Sequence, residues 1–311
     1  MKILLTGANG YIGKKLLPAL IKEGHQVICC VRNASKLPSS DIYSHKNVSV
    51  IEFDFLKGQT PPDSIIDIDV AYYLMHSMTG FSKGFVEMEE KAAYHFLSVV
   101  NRTSIKQIIY LGGITNEDNL SQHLSSRKNV ETILRSSAVP VTTLKAGIIV
   151  GCGSASFEII RSLMEKLPVI IGPKWLDTQS QPVSLINVIE YLTGVLLMEE
   201  TFNKSYDMGG ENVITYKKML EQYAEFRGYK RYIITMPSIP MPVAAFFVSV
   251  FTSSDYSLSL NLIRSMKVKV VAENNPIEKK LGIKPLSYKE ALERCCGFPI
   301  NRQQNKCAEI S

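Results

Sequence analysis

Residues 121–131, SQHLSSRKNVE, place two side chains that can do chemistry four positions apart. His123 and Arg127 share one face of the amphipathic helix that this stretch predicts, in line with Val130 and Leu134. An imidazole with an ordinary pKa near ~6.5 donates or accepts a proton close to neutral pH. A neighbouring guanidinium lowers that pKa and favours the neutral imidazole. The pair is therefore the candidate proton-transfer site of the chain.

A glycine-rich stretch, TGANGYIG at residues 6–13, lies between an apolar run at the start of the chain and a helical pattern. Gly7 permits a tight turn, Gly10 lets the backbone approach a pyrophosphate, and Gly13 allows close packing of helix on strand. The helix N-terminus then faces the phosphate charge. The gap between Gly7 and Gly10 is one residue longer than in the common G-x-G-x-x-G fingerprint. The alternative interpretation is a turn whose glycines have no role in binding. The residues expected to contact the dinucleotide are Gly7, Ala8, Asn9, Gly10, Tyr11, Ile12 and Gly13.

Arg32 follows the second apolar run, QVICCV, where an NAD-binding protein usually places an acid for the ribose 2′-hydroxyl. A guanidinium at this point pairs well with a 2′-phosphate. The sequence therefore predicts that NADP(H) binds in preference to NAD(H). A surface arginine without a role in binding is the alternative.

Two further strand ends carry candidate cofactor contacts. Asp54 and Phe55 end the third run and offer a carboxylate and an aromatic ring near the expected adenine, although Asp54 could equally cap the following turn. The fourth run ends in LMHSM, residues 74–78, at the carboxyl edge of the predicted sheet, where ligands bind in such folds. Leu74 and His76 are therefore expected at the cofactor. For His76 the alternative is a hydrogen bond to loop backbone.

Short apolar runs alternate with helical patterns through the first half of the chain. This alternation predicts an α/β fold of the Rossmann type, a doubly wound parallel sheet whose strands are buried on both faces by helices. After Gly151 the regular alternation of apolar runs and helical patterns ends. We therefore predict an NAD(P)-binding domain at 1–204, with 151–175 contributing to the substrate side, and a smaller C-terminal substrate-side lobe at 205–311.

The composition is that of an ordinary globular protein, with 45% hydrophobic and 21% charged residues among 311. A net charge of +6, spread along the chain, does not favour a nucleic-acid surface. The six cysteines include two adjacent pairs but no C-x-x-C, so we expect neither a disulfide framework nor a metal site. A reducing cytoplasm is the simplest location, and the N-terminus lacks the pattern of a signal peptide.

The most apolar segment is PMPVAAFFVSVF, residues 240–251. It is shorter than the ~20 residues that a helix needs to cross a bilayer. We expect a buried helix or a lid over a pocket, and contact with a membrane surface is the alternative. Such a segment would also suit an apolar substrate.

These residues resemble the short-chain dehydrogenase/reductase superfamily, and within it the atypical, NmrA-like NAD(P)H-binding proteins. The shared features are TGANGYIG, the arginine after the second strand and the aspartate after the third. A bacterial subgroup of predicted nucleoside-diphosphate-sugar epimerase-like proteins is similar over YLMHSM, YLGGI, SQHLSSRKNVE, GSASFEIIRSLMEKLPV and KPLSYKEAL. The resemblance extends from residue 1 to about 295. It implies an extended Rossmann fold, a C-terminal substrate region and an NAD(P) cofactor.

The resemblance also implies where the catalytic groups would stand. Active members of the superfamily use a Tyr-x-x-x-Lys pair together with a Ser or Thr after the fifth strand. Here the register puts His123 at the tyrosine position, Arg127 at the lysine position, and Gly112 and Gly113 at the serine position. Arg127 would then hold the nicotinamide ribose, while all three chemical groups differ from the family pattern.

A substrate carbonyl at this site would miss one hydrogen bond, because glycine carries no hydroxyl. Thr115, Ser77 or His76 would have to supply the donor. The residues expected to line the substrate pocket are Ser77, Met78, Gly113, Thr115 and Cys152.

Three functions fit these expectations. The first is an NADP(H)-dependent oxidoreductase that reduces a small, apolar carbonyl or quinone-like substrate, with His123 transferring the proton. The second is a non-catalytic NADP(H)-binding sensor that passes its state to a partner protein. The third, a sugar-nucleotide epimerase or dehydratase, depends most on the absent tyrosine and is the weakest.

Overall fold

The computed structural model describes residues 1–37, 39–57, 62–76, 84–116, 122–237, 239–252, 255–273 and 277–297, with the backbone alone at 122 and 123. The expected pocket residues Ser77 and Met78 lie outside these ranges. In chain order, the β-strands are β1 (Lys2–Thr6), β2 (Gln26–Val31), β3 (Val48–Glu52), β4 (Val70–Tyr73), β5 (Gln107–Gly113), β6 (Val141–Ala146), β7 (Ile149–Val150), β8 (Val169–Pro173), β9 (Gln179–Ser180), β10 (Val183–Ser184), β11 (Ser205–Met208), β12 (Ile214–Thr215) and β13 (Tyr232–Met236). The α-helices are α1 (Tyr11–Lys22), α2 (Phe85–Val100), α3 (Gln122–Arg135), α4 (Ala155–Lys166), α5 (Leu185–Gly194), α6 (Tyr216–Phe226), α7 (Met241–Thr252), α8 (Tyr256–Ser265), α9 (Ile277–Leu281) and α10 (Tyr288–Cys296).

The central sheet has seven strands in the order β11-β6-β5-β4-β1-β2-β3. β1 pairs in parallel with both β2 and β4, so the chain winds outward in two directions from β1. The predicted doubly wound α/β fold of the Rossmann type is confirmed. In such a sheet ligands bind outside the carboxyl ends of the strands where the winding reverses, which here are the ends of β1 and β4.

The sheet is buried because its strands are runs of apolar residues. Ile3, Leu4 and Leu5 of β1 have no exposed surface, and all four residues of β4 are buried. Aromatic side chains join β4 to α2, since the Tyr73 ring lies 4.9 Å from the Phe96 ring in an edge-on contact. This burial fixes the strand ends and therefore the positions of the loops that follow them.

The chain divides into two compact units. The first consists of residues 1–112, 126–145 and 189–206, and the second consists of 113–125, 146–188 and the chain from 207 onward. The predicted boundary at 204/205 therefore lies close to the last crossing between units. Segments 113–125 and 146–188, however, belong to the second unit although they precede that boundary.

The second unit has its own core, formed where α4, α6 and α10 bring large side chains together. Phe157, Met219 and Leu292 are fully buried there, and the Phe157 ring contacts the Tyr223 ring edge-on at 5.9 Å. A parallel pair of strands, β8 and β13, also belongs to this unit. This core holds the termini of α4 and α10 in place.

Helix α7 covers the apolar segment for which we expected burial, and the structure corrects this expectation. Of its twelve residues only Ala245 is buried, while Phe246 and Phe247 are 57% and 56% exposed. Apolar composition predicted the helix but not its environment, because nearly every position is apolar and no polar face marks the solvent side. Among the described residues, no helix combines the length and apolarity needed to cross a membrane.

Candidate functional site

The glycine-rich turn follows β1 and leads directly into α1. The Gly10 N–H donates to the Gly7 carbonyl at 2.8 Å, and Gly7 has a φ of +68°, which favours glycine. A Cβ at Gly13 would lie 2.3 Å from the Gly7 oxygen, so only glycine lets α1 begin this close to the turn. The predicted roles of Gly7 and Gly13 thus have a direct steric basis.

The N-terminus of α1 is suited to an anion. Its N-cap is Gly10, no side chain caps it, and its first turn carries no acidic residue. The N–H groups of a first helical turn have no partners within the helix, so they are available to a phosphate group. Ala8 and Ile12 are buried, which leaves backbone rather than side-chain contacts for these two predicted residues. The cradle therefore fits the pyrophosphate of a dinucleotide.

The end of β4 lies against this turn. The Thr6 hydroxyl donates to the Tyr72 carbonyl at 2.8 Å and accepts from the Leu74 N–H at 3.3 Å. A Cβ at Gly7 would lie 2.8 Å from the Leu74 oxygen. Leu74, one of the two residues expected at the cofactor, thus lies beside the turn, and His76 follows it as an exposed residue. Thr6 is the residue that joins the two strand ends.

Tyr43 is a contact of the turn that the sequence analysis missed. Its hydroxyl donates to the Ala8 carbonyl at 3.2 Å from a short 3-10 helix, Asp41–Ser44. Burial, with a smaller contribution from Cys29, raises the pKa of Tyr43, so its phenol stays a hydrogen-bond donor. The contact spans 35 positions in sequence and carries no local motif that would have revealed it.

Arg32 lies directly after β2 and is exposed. Within the described chain it makes no hydrogen bond or ion pair, so its guanidinium is available to a ligand. A 3-10 helix, Ala34–Lys36, follows it; the Asn33 side chain accepts from the Ser35 N–H at 2.8 Å, and Glu52 accepts from the Ala34 N–H at 2.9 Å. These bonds hold the loop after Arg32 in one conformation and place Lys36 on the same short segment.

The structure separates the two predicted adenine contacts. The Asp54 carboxylate accepts from the Leu56 N–H at 3.0 Å, so it caps the turn after β3, which was the alternative role considered for it. Phe55 is 3% exposed, and its ring contacts the Phe53 ring edge-on at 4.8 Å. Its ring therefore belongs to the core and does not line an adenine surface.

His123 and Arg127 both lie on α3, which begins at Gln122. The helical backbone supports the predicted i, i+4 relation between them, while the His123 side chain is outside the described atoms. The Arg127 Nε is buried without a hydrogen-bond partner in the described chain. Its backbone carbonyl accepts from the Tyr110 hydroxyl at 3.1 Å, which ties α3 to β5. The Arg127 Nε–H therefore has no acceptor within the described part of the chain.

A buried acid near Arg127 was also missed. The Ser126 hydroxyl donates to the Glu89 carboxylate at 2.5 Å, and both residues are buried. Burial raises the pKa of Tyr110 strongly, Glu89 adds to this increase, and the Arg127 charge opposes it. Glu89 stands four positions from both Phe85 and Ala93 on the apolar face of α2, and a carboxylate on such a face was the available signal.

At the position of the missing serine, a side chain would come close to the Tyr110 ring. A Cβ on Gly112 would lie 3.1 Å from the Tyr110 ring. In the second unit, Gly113 ends β5 and Thr115 is buried. Cys152, the last of the predicted pocket residues, lies beside Cys295 rather than alone on a loop.

Lys145 on β6 forms an ion pair with a glutamate of α3. Its Nζ lies 3.3 Å from the Glu131 carboxylate, which also accepts from Ser205. Both charged groups are mostly buried, so the pair connects α3 to the end of the sheet. No role in binding or chemistry is assigned to Lys145.

Comparisons with known proteins agree with this geometry. Residues 7–151 match the model of a family described as NAD(P)H-binding. The chain is 21% identical to the photosystem II assembly factor Ycf39 of Trieres chinensis, over 68% of this chain and 64% of that protein, so it spans less than two thirds of that relative. The Synechocystis Ycf39 is 18% identical over 92% of this chain and 86% of its own length.

Solved structures share the fold. A nucleoside-diphosphate-sugar epimerase from Staphylococcus aureus superposes with a TM-score of 0.73 at 17% identity, covering 94% of this chain and 100% of that one. The UDP-glucuronic acid 4-epimerase of Bacillus cereus, in complex with NAD, gives a TM-score of 0.62 at 18% identity, covering 86% and 96%. At such identities the likeness establishes the architecture and leaves the reaction open.

Proposed function

We propose that this chain, which matches an NAD(P)H-binding family over residues 7–151, is an NADP(H)-dependent oxidoreductase of the atypical short-chain dehydrogenase/reductase branch. Its substrate in this proposal is a small, apolar carbonyl or quinone-like compound. The observation that carries the cofactor preference is Arg32, which is exposed at the end of β2 and engaged by no described residue. The loop behind it is held by Asn33 and Glu52, so the guanidinium projects from an ordered segment.

The cofactor preference is tested by binding NADPH and NADH to the wild type and to Arg32→Ala. Losing a charge-assisted hydrogen bond of about 1.5–3 kcal/mol should weaken NADPH binding by roughly 10- to 100-fold and leave NADH binding unchanged. Arg102→Ala, which removes an exposed arginine after α2, is the matched control and should change neither affinity. Equal affinities of the wild type for both cofactors would contradict the proposal.

In this proposal the residues divide the work as follows. The α1 N-terminus and the Gly7–Gly13 turn would hold the pyrophosphate, and Arg32 would hold the 2′-phosphate. When bound, the reduced cofactor supplies a hydride to the acceptor. Arg127 would hold the nicotinamide ribose, and His123 would give a proton to the acceptor oxygen.

The choice of acceptor follows from the two glycines at the end of β5. No hydroxyl at Gly112 or Gly113 supports a negative charge on the acceptor oxygen, and Tyr110 crowds the space a side chain would need at Gly112. An aldehyde or ketone that is not conjugated needs such support in the transition state. A quinone spreads the charge over its own ring, and we therefore propose a quinone-like acceptor first.

Turnover is tested by following NADPH oxidation with a panel of quinones and aldehydes. We expect the best rates with quinones, and a fall of about 100-fold in kcat for His123→Ala, within the usual range for a lost general acid. His25→Ala, in the turn between α1 and β2, should keep full activity. Turnover that is unaffected by His123→Ala would remove His123 from the mechanism.

A non-catalytic NADP(H)-binding sensor is the second candidate, because the curated relatives are named for assembly of a complex rather than for a reaction. It would bind NADPH through the same residues and pass its state to a protein partner. Tight NADPH binding without turnover of any acceptor would support it over the oxidoreductase. The epimerase or dehydratase function has the weakest support, since it requires the tyrosine that His123 replaces.

We also propose that the chain works in the cytoplasm on a small molecule. Cys29 and Cys30 on β2 are thiols in the buried core, and burial raises the pKa of each to about 12. Thiols kept reduced are typical of that compartment. Expression of a fusion with a fluorescent protein, followed by fractionation, checks this location.

A further inference from the structure

Three cysteines that are far apart in sequence meet in the second unit. Cys152 follows β7, while Cys295 and Cys296 end α10, and the Sγ atoms of all three lie within 4.8 Å of one another. The Cys152 and Cys295 sulfurs are 2.8 Å apart. Adjacent cysteines without C-x-x-C spacing indicated no metal site in the sequence, but the fold supplies the third sulfur from a different segment.

Both segments are held firmly. α10 begins with a capping box, in which Ser287 and Glu290 bond each other's backbone N–H groups, and it packs on β7 and β10. Cys295 is 6% exposed in the core of the unit, whereas Cys152 and Cys296 are half-buried. One sulfur is therefore anchored in the core, and the other two leave the cluster open to an ion from solvent.

The polar surroundings are suited to thiolates. Cys152 lies two positions before Ser154, the N-cap of α4, and the positive end of a helix dipole stabilises a nearby thiolate. The Cys152 thiol donates to the Cys295 carbonyl at 3.0 Å, a bond that favours the protonated thiol and must break when a metal ion binds. The buried Tyr288 hydroxyl, on the same helix as Cys295 and Cys296, has no hydrogen-bond partner in the described chain.

We propose that Cys152, Cys295 and Cys296 form a three-thiolate site for a thiophilic metal ion, and that Cu⁺ fits it best. No histidine, aspartate or glutamate of the described chain joins the cluster. Structural zinc sites almost always have four protein ligands, one more than this cluster offers. Cu⁺ is a soft ion that favours thiolate ligands, and three thiolates are enough to bind it. On binding, three S–H bonds break, three metal–sulfur bonds form and three protons leave to solvent, with no electron transferred.

The geometry requires only a small adjustment. Metal–sulfur bonds near ~2.3 Å place three coplanar sulfurs roughly 4 Å apart. The upper bound of 4.8 Å on the sulfur–sulfur distances is close to this spacing, and Cys152 and Cys295 must move apart by about 1 Å. Cys152 is on a loop and can make this movement. A disulfide between Cys152 and Cys295 would use only two of the three cysteines and would leave Cys296 as a free thiol.

The test uses the full chain, reduced and without oxygen, titrated with Cu⁺ against a chromophoric Cu⁺ chelator and separately with Zn²⁺. We expect one tight Cu⁺ equivalent, weaker Zn²⁺ binding, and sulfur-only coordination in the X-ray absorption spectrum. Cys152→Ser and Cys296→Ser should each lower Cu⁺ affinity at least tenfold. Cys29→Ala, which removes a thiol of the first unit, is the control and should leave the affinity unchanged.

Circular dichroism shows whether each variant is folded. If Cys296→Ser disturbs the core, Cys296→Ala replaces it in the titration. Unchanged Cu⁺ affinity in both Cys152 and Cys296 variants would overturn the proposal. So would Zn²⁺ binding tighter than Cu⁺. If the reduced chain takes up no Cu⁺ but a hydroperoxide removes two hydrogens to join Cys152 and Cys295, the cluster is a redox pair instead.

Discussion

Gly13 is the single residue on which the cofactor turn depends most strictly. We expect Gly13→Ala to abolish NADPH binding, because the new Cβ would lie 2.3 Å from the Gly7 oxygen and the turn would have to open. The free energy of unfolding should fall by about 1–3 kcal/mol, as for other overpacked sites. Chemical denaturation and isothermal titration measure the two effects.

Gly24→Ala is the matched control in the same unit. Gly24 has a φ of +80°, so an alanine is strained there, but nothing in the described chain lies within 4 Å of its Cβ position. It should lose roughly 1 kcal/mol of stability and keep its NADPH affinity. NADPH affinity retained by Gly13→Ala would mean that the pyrophosphate does not approach this turn.

Single residues also show where sequence analysis succeeds and where it stops. The Gly7–Gly13 turn and Arg32 were predictable because each stands at a fixed distance from a strand end. Tyr43 and Ser126 act through hydrogen bonds across 35 and 37 positions, and no local pattern marks such pairs. Phe55 was assigned to adenine by position alone, while its ring packs in the core.

At the scale of elements, α7 is the main departure from expectation. Its exposed residues Val243, Phe246, Phe247 and Val250 follow the i, i+3, i+4, i+7 spacing of one helical face. The helix has no charged residue, and Lys166 of α4 donates to the Phe251 carbonyl at its end. Arg231 bonds the Met164 carbonyl at the same end of α4. The apolar stripe thus lies on a helix that packs against α4, and these two basic side chains lie at the C-terminal end of α4.

We propose that this stripe rests on an anionic membrane surface, because lysine and arginine beside an exposed apolar face match acidic headgroups. The chain should co-sediment with vesicles containing phosphatidylserine, less with neutral vesicles, and less at high salt. The double variant Phe246→Ser, Phe247→Ser should lose most of this binding. Tyr94→Ser, which removes a 57% exposed aromatic ring on α2, should retain it.

Equal sedimentation of the α7 double variant and the wild type would contradict membrane contact. Sedimentation velocity without lipid tests the alternative. If the wild type is a dimer and the double variant is a monomer, the stripe joins two copies of the chain. Composition alone could not distinguish a buried helix from an exposed one here.

At the scale of the whole molecule, the Rossmann-type architecture was predictable from the alternation of strands and helices in the first half. The division into units was predictable only in part, because segments 113–125 and 146–188 belong to the second unit by packing and not by position in the chain. The cysteine cluster was not predictable for the same reason. It joins residues 143 positions apart that share a core only after both have folded.

Because the chain crosses repeatedly between its two units, neither unit is a single continuous segment of the sequence. The chain passes from one unit to the other at 112/113, 125/126, 145/146, 188/189 and 206/207. No single cut therefore releases an intact cofactor module, and a fragment ending at residue 206 would carry 113–125 and 146–188 without the rest of their core. Neither unit can therefore be exchanged between homologous proteins as one contiguous segment, and an exchange of the first unit must transfer its three segments together.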